Sequence, residues 1–381
     1  MDQRTDTERI ETVVVGGGQA GLSAGYHLAR RGIPFVILDA DERIGDHWRN
    51  HYDSLRLYSP ARSNGLPGMR FPAPSYHYPT GREMGDYLES YAKRFDLPVR
   101  SGTRVDSVKP AEGTAGGFVV TAGGRRIEAA NVIVATGSFT TPHVPEFAEA
   151  LDPSIRQLHS SDYRNPGQLR DGPVLVVGVS HSGADIAYEL AGSHRTVLSG
   201  RSHGELPIRV IDSWKARLIW PLIITAATHL LTLRTPIGRK MAPQVRAGGG
   251  PLLRVRSDDL ARAGVERRDE RTVGVSDGKP MLAGGEVLDV RNVIWATGFR
   301  EGYDWVQVPG FMGADGWPVG TRGVVDATPG LYVLGVPFTF GFTSMLVAGA
   351  GRDAKYVVAR LADRSAAGTA RGGMRAAVIA P

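Results

Sequence analysis

Val13-Val14-Val15-Gly16-Gly17-Gly18-Gln19-Ala20-Gly21 is a β-branched run that breaks into glycines at 16, 18 and 21. Leu22, Ala24, Tyr26, Leu28 and Ala29 follow in a helical pattern. The stretch reads as strand, tight turn and helix. Gly16 permits the turn, Gly18 lets backbone approach a pyrophosphate, and Gly21 lets the helix pack on the strand. The first N–H groups of the helix, with Gln19 and Ala20 among their residues, then face the anion. Phe35-Val36-Ile37-Leu38 reads as the next strand, and it ends in Asp39, 23 residues after Gly16. A carboxylate at that distance accepts hydrogen bonds from an adenosine ribose.

An echo begins at Val174. Val174-Leu175-Val176-Val177-Gly178 runs into Ser180, His181, Ser182 and Gly183, with Ser180 where the middle glycine would stand. A strand over 195–199 follows, and then Arg201, again 23 residues after the leading glycine. One unit ends in an acid and the other in a guanidinium. An acid suits a bare ribose and an arginine suits a ribose 2′-phosphate, so we expect FAD in the first unit and NADPH, or else NADH, in the second.

A further repeat supports the pairing. Val132–Gly137 and Val293–Gly298 are near copies, each ending Ala-Thr-Gly; Gly16 to Gly137 spans 121 residues and Gly178 to Gly298 spans 120. The expected fold class is α/β, with two Rossmann-like dinucleotide-binding domains. Each has three layers around a parallel sheet with a β-meander, and the second is inserted in the first. The first would comprise 1–167 and 299–381, and the second 168–298, with an apolar helical insertion at about 205–250.

At 381 residues the chain is long enough for two full cores. Its 49 glycines fit repeated tight turns, since the apolar fraction is an ordinary 42%. The formal charge of +6 needs no nucleic acid, because two dinucleotides supply enough negative charge and no recognition-helix pattern accompanies it. With no cysteine there is no disulfide framework, no thiolate metal site and no redox dithiol, which removes disulfide-reductase chemistry. No metal is expected. Residues 1–11 are polar, so the expected location is cytoplasmic.

Along the chain, Thr80-Gly81-Arg82-Glu83 reads as a capping box, and Met84, Tyr87, Leu88, Tyr91 and Phe95 as the inner face of the helix behind it. Residues 103–136 read as the meander, 138–173 as a connector, and the tail from about Arg364 as mobile. Residues 218–233 are strongly apolar between Arg217 and Arg234. As a helix they reach roughly 24 Å, short of a ~30 Å bilayer core. The readings are a buried helix capping the second unit, a subunit contact such as a homodimer would make, peripheral membrane contact, or a substrate-channel wall.

With these residues the sequence resembles the class B flavin-containing monooxygenases, closest to their bacterial CzcO-like branch. Gly16–Ser23, Gly45-x-x-Trp48-Arg49, both Ala-Thr-Gly strands, Gly330–Gly335, Gly351–Ala354 and His159…Tyr163 carry the resemblance, which covers nearly the whole chain. Three features depart from it. Pro153 and Ile155 stand where the identifying motif has Phe-x-Gly, Ser180 replaces a glycine, and Asn64 is out of register with the active-site Asn of relatives. Tyr163 stands where Baeyer–Villiger enzymes have Trp.

The resemblance implies that NADPH reduces the flavin, O2 adds at C4a, and the hydroperoxide passes one oxygen to a small organic substrate. It implies no obligatory catalytic side chain, and none is named. It places Trp48 and Arg49 along the FAD, Val105 beside its adenine, Thr136 and Gly137 at the close of that site, and the helix start at Ser344 towards the flavin. Gly178, Ser180, His181, Ser182 and Gly183 would face the NADPH pyrophosphate and Arg201 the 2′-phosphate. Two rivals stand beside it: an NAD(P)H-dependent flavin reductase or oxidase without oxygen insertion, and a membrane-peripheral redox accessory protein.

Overall fold

The computed structural model describes residues 7–113, 116–205 and 214–377. Strand β1 (Thr7–Val15), helix α1 (Gln19–Ala29) and strand β2 (Phe35–Leu38) open the chain. The short helix α2 (Asp46–Arg49) and a long loop lead to α3 (Gly81–Arg94) and the edge strand β3 (Val99–Arg100). The meander is β4 (Val105–Pro110), β5 (Phe118–Ala122) and β6 (Arg125–Val134). These strands lie in the order β3-β2-β1-β6-β5-β4.

The chain leaves through β7 (Thr141–Pro142) and builds β8 (Arg156–His159), β9 (Val174–Val177), α4 (His181–Leu190) and β10 (Thr196–Ser199). Helices α5 (Trp214–His229), α6 (Pro236–Arg246) and α7 (Ser257–Arg262) precede β11 (Glu266–Arg268), the hairpin β12 (Thr272–Ser276) and β13 (Lys279–Leu282), and β14 (Asn292–Trp295). The second sheet, β11-β10-β9-β14-β8, is parallel throughout. The chain returns through β15 (Phe299–Arg300), which pairs antiparallel with β7, so the outgoing and incoming crossings are zipped together. Then β16 (Leu331–Val333) joins the first sheet against the far half of β6, and α8 (Val347–Ala377) follows. The second sheet is thus completed before the first, the nested topology that the two repeats predict.

Both sheets are covered on both faces, which is why their strands are apolar without alternation. Val14, Ile37 and Ile133 face a core with Leu22, Leu28, Tyr87, Tyr91 and Val357, while Val13, Val15, Val132 and Val134 face the opposite core with Phe118 and Phe311. The second sheet splits likewise, Val174, Val176 and Ile294 to one side and Leu175, Val177 and Val293 to the other. The capping box forms: Thr80 Oγ1 accepts from Glu83 N–H at 3.1 Å and Glu83 accepts from Thr80 N–H at 2.7 Å.

Three expectations need correction. The boundary at 168 falls too late, since β8, within the connector, hydrogen-bonds to β14 and the second sheet draws on chain ahead of that residue. The tail is helical through Ala377, and Arg364 donates to Ala130 O at 2.6 Å and Asn131 Oδ1 at 3.0 Å, fastening it to β6. The apolar stretch is a helix, but not a buried one: Leu218 and Leu222 are 69% and 71% exposed, and among the described side chains of α5 only Trp220 is buried. Pro221 removes an N–H from inside α5, which orphans the carbonyl of Arg217; the Tyr76 hydroxyl donates to that carbonyl at 2.9 Å. Residues 206–213 of the expected insertion lie outside the described residues.

Candidate active site

The two glycine turns are built alike, and the Ala-Thr-Gly strands are part of each. Gly16 has φ +108° and Gly178 φ +112°. A Cβ on Gly16 would stand 2.6 Å from the carbonyl oxygen of Ala135, and one on Gly178 would collide with that of Ala296. A Cβ on Gly21 would overlap the oxygen of Gly16, and one on Gly183 the oxygen of Gly178, so helix and turn are in direct contact in both. Each repeat therefore presses its Ala-Thr-Gly against its own turn. At Gly18, by contrast, a Cβ would meet nothing within 4 Å. Gly18 is the N-cap of α1 and supplies no side chain to it, and no acid occupies the first turn, so the free N–H groups of the helix face open space.

Asp39 stands over this turn. Its carboxylate accepts the N–H of Gly17 and, at 2.8 Å, that of Asp41. Gln19 accepts from Trp48 Nε1 at 3.4 Å, which turns the indole toward the turn. Trp48, Val105, Thr136 and Gly137 line the same cleft, where Thr136 Oγ1 and Ser138 Oγ are buried without a protein partner. A cradle without side chains, beside orphaned hydroxyls, fits a dinucleotide.

Arg49 does not line the cleft. Its guanidinium is shared among Asp46, Asp86 and Glu89, each at 2.9 Å, and the Ile44 carbonyl at 2.8 Å, so its charge is spent tying α2 to α3. Ser344 is likewise turned inward. Its hydroxyl accepts from Phe340 and Gly341 N–H at 3.2 and 3.1 Å in the turn before α8, whereas Val347 and Ala348 at the start of α8 reach the cleft wall.

Around the second turn, Ser180 Oγ accepts from Gly250 N–H at 3.0 Å and donates to Gly250 O at 3.4 Å. The hydroxyl that replaces a glycine thus holds a Gly248-Gly249-Gly250 loop over the turn. His181 lies against Tyr58, ring centroids 4.9 Å apart, with its Nε2 buried and unpartnered and its pKa lowered by burial. Ser182 and Gly183 line the cleft, as does Arg201, which is exposed and has no carboxylate partner among the described residues. His159 and Tyr163 are structural: His159 Nε2 bonds to Gly298 O at 3.0 Å, and Tyr163 donates to Glu189 at 2.8 Å from within the core.

The cleft has a volume of about 2340 Å3 and takes in both turns. Trp220, Ile223, Ile224 and Ala227 of α5 roof it, so the inner side of the apolar stretch is part of the cleft wall. One group escaped the sequence reading. Asp185, buried in α4, accepts from Tyr52 at 3.2 Å, Tyr58 at 3.0 Å and Arg254 at 3.1 Å. No spacing rule joins residues so far apart; the only signal was that Asp185 follows the second turn on a face that should be apolar.

Residues 13–209 match the pyridine nucleotide-disulphide oxidoreductase family. The "oxidoreductase CzcO-like" of Geobacillus kaustophilus is 37% identical over 350 residues, 92% of this chain and 97% of that protein. The chain belongs to the CzcO-like oxidoreductases of this family. It is an FAD- and NADPH-dependent enzyme. Two further likenesses accompany these. A protein of Arabidopsis thaliana named as a probable indole-3-pyruvate monooxygenase is 30% identical, over 92% of this chain and 86% of that one. The structure of a flavin-containing monooxygenase from Stenotrophomonas maltophilia superposes with a TM-score of 0.74 at 27% identity, covering 94% and 99% of the two chains. The disulphide chemistry in the family's description is closed to this oxidoreductase, which has no cysteine.

Proposed function

We propose that the chain is a monooxygenase that spends NADPH and O2 to place one oxygen atom on a small organic substrate. FAD on the first turn would supply the relay of electrons from NADPH to O2. The protein's part is to bind, orient and exclude water. Gly16, Gly18, Gln19, Ala20 and Gly21 offer backbone to the FAD pyrophosphate and Asp39 takes the ribose, with Trp48, Val105, Thr136 and Gly137 along the cofactor. Gly178, Ser180, His181, Ser182 and Gly183 hold the NADPH pyrophosphate and Arg201 its 2′-phosphate. The FAD unit would be 1–167 and 299–381, less β8, and the NADPH unit 168–298. Supply of NADPH puts the reaction in the cytoplasm.

The observation that carries this reading is that both glycine turns open on one cleft, roofed by apolar side chains of α5. An apolar roof keeps water from a reactive oxygen species, which a reductase with an outside acceptor does not need. A second reading, a reductase or oxidase without oxygen insertion, draws on the loop that Ser180 holds over the second turn, because nucleotide must displace or share it. The test is to follow NADPH consumption and peroxide release by the FAD-loaded protein across sulfides, amines and ketones under 18O2. A substrate that suppresses peroxide and gains one 18O supports oxygenation. One peroxide per NADPH with every compound leaves the oxidase.

A further inference from the structure

The outer face of α5 carries Leu218 and Leu222, and Leu230, Leu233 and Ile237 continue it to the start of α6, all of them exposed. Monomeric proteins seldom leave such a run open without a partner. The chemistry around it is one-sided. Residues 214–256 contain eight Lys and Arg and no Asp or Glu. Arg246, Arg254 and Arg256 of this segment are ion-paired, to Asp315, Asp185 and Glu205. Arg217, Arg234, Arg239 and Lys240, which flank the leucines, have no carboxylate partner among the described residues.

A cluster of guanidiniums adjoins this face. Leu233 N–H bonds to Phe340 O at 3.0 Å, which brings Phe340 to the end of the apolar run. Three arginines converge on its ring: Arg322 at 4.4 Å, Arg352 at 4.5 Å and Arg234 at 5.6 Å from the centroid. Arg322 also lies 3.8 Å from the Tyr356 ring and is held at φ +55°, a backbone conformation that costs a non-glycine residue energy. Arg322 Nε and Arg352 Nη2 are buried with no hydrogen-bond partner, and one carboxylate, Asp353 on Arg352, faces the three charges. Arg352 also donates to Thr343 Oγ1 at 3.1 Å, so exposed Arg234 leads the cluster outward, and its surplus of positive charge beside the apolar run fits an anionic headgroup.

We infer that α5 and the start of α6 dock on an anionic phospholipid surface, the leucines entering the headgroup boundary and the Arg234–Arg322–Arg352 cluster taking a lipid phosphate. Exposed leucines beside surplus cations are the composition of an interfacial helix, and α5 cannot cross, since no described helix is long and apolar enough to do so. Leu230, Leu233 and Ile237 are exposed and also line the cleft, so its mouth opens on the docking face. The substrate would then be an apolar molecule taken from the bilayer. This last step rests on the oxygenase reading; the docking does not.

The test is co-sedimentation of the FAD-loaded protein with vesicles of phosphatidylcholine alone or with phosphatidylglycerol. Pelleting should require phosphatidylglycerol and fall with rising salt. Leu222→Glu and Arg234→Glu, both exposed and away from the cleft wall, should each reduce it at least tenfold with NADPH oxidation in solution unchanged. No pelleting, or equal pelleting with neutral vesicles, overturns the inference. So does a solution dimer that Leu222→Glu splits, because a second copy would then cover the face. With an apolar sulfide dissolved in anionic vesicles, wild type should outpace Leu222→Glu while the two match on a water-soluble sulfide. Pelleting without oxygenation of either sulfide would remove the oxygenase reading and leave the docking in place.

Discussion

The hydroxyl of Tyr58, in the long loop after α2, donates to the carboxylate of Asp185, in the helix after the second glycine turn, across 3.0 Å. Tyr52 and Arg254 converge on the same carboxylate, and Arg254 Nη1 reaches back to Ser54 O at 3.3 Å. The two units are thus pinned together by a buried charge beside the cleft. Asp185→Ala leaves Arg254 unpaired and should cost about 3–5 kcal/mol, whereas Tyr58→Phe removes one hydrogen bond of several and should cost about 1 kcal/mol. Denaturant unfolding of both variants checks the ratio; equal, small losses would mean that the cluster holds nothing.

Gly18 and Gly21 should respond in opposite ways to a methyl group. Gly21→Ala has no room against the Gly16 carbonyl and should destabilise the protein with or without FAD. Gly18→Ala meets nothing in the protein, so the apoprotein should melt as wild type while FAD binds at least about tenfold more weakly, one lost close approach being worth roughly 1.4 kcal/mol. Undiminished FAD affinity in Gly18→Ala would mean that the pyrophosphate lies elsewhere.

Arg201→Ala should weaken NADPH much more than NADH. A charge-assisted phosphate contact is worth roughly 1.5–3 kcal/mol, or about 10- to 150-fold. Steady-state KM for the two coenzymes reads this directly. An equal effect on both would take the 2′-phosphate away from Arg201.

Ser180→Ala should free the loop that Gly250 anchors. Losing the pair of hydrogen bonds costs about 1 kcal/mol, and amide exchange at Gly250 should be faster in the variant than in the wild type while β9 stays protected. Unchanged exchange would show that packing of Gly249 and Gly250 on His203 and His181 suffices to hold the loop.

Acid should destabilise the protein below neutrality. Burial lowers the His51 imidazole to about 4, and the same effect acts in this direction on His27, His159 and His181. An unfolded imidazole titrates near 6.5. Between those values the unfolded chain takes a proton that the native one refuses, so stability is full above about pH 6.5 and falls as pH drops toward 4. For His51 alone the loss from pH 7 to 5 is about 2 kcal/mol. Urea midpoints at the two pH values measure it, and His51→Gln should blunt the difference; an identical drop in that variant would reassign it.

Residues close in the chain made their structure legible in the sequence. A β-branched run that breaks at Gly16 and Gly21 can only turn there, and the same logic found Gly178 and Gly183, so both turns, their helices and the nesting of one sheet in the other followed from local chemistry and from one repeat length. Thr80 and Glu83 capped α3 for the same reason: the partners are three residues apart. What the tertiary structure decided is where long side chains spend their charge and which apolar face stays open. Arg49 stands in a stretch that resembles a cofactor lining, yet Asp86 and Glu89, on a helix far along the chain, claim its guanidinium. Asp185 gains its partners from residues 52, 58 and 254, and Ser180 gains Gly250, pairings that no spacing encodes. The leucines of α5 left a buried helix, a subunit contact, a membrane contact and a channel wall all open in sequence, because apolarity does not say which side of a helix its neighbours cover; only the packing left Leu218 and Leu222 in the open and turned Ile223 and Ile224 to the cleft.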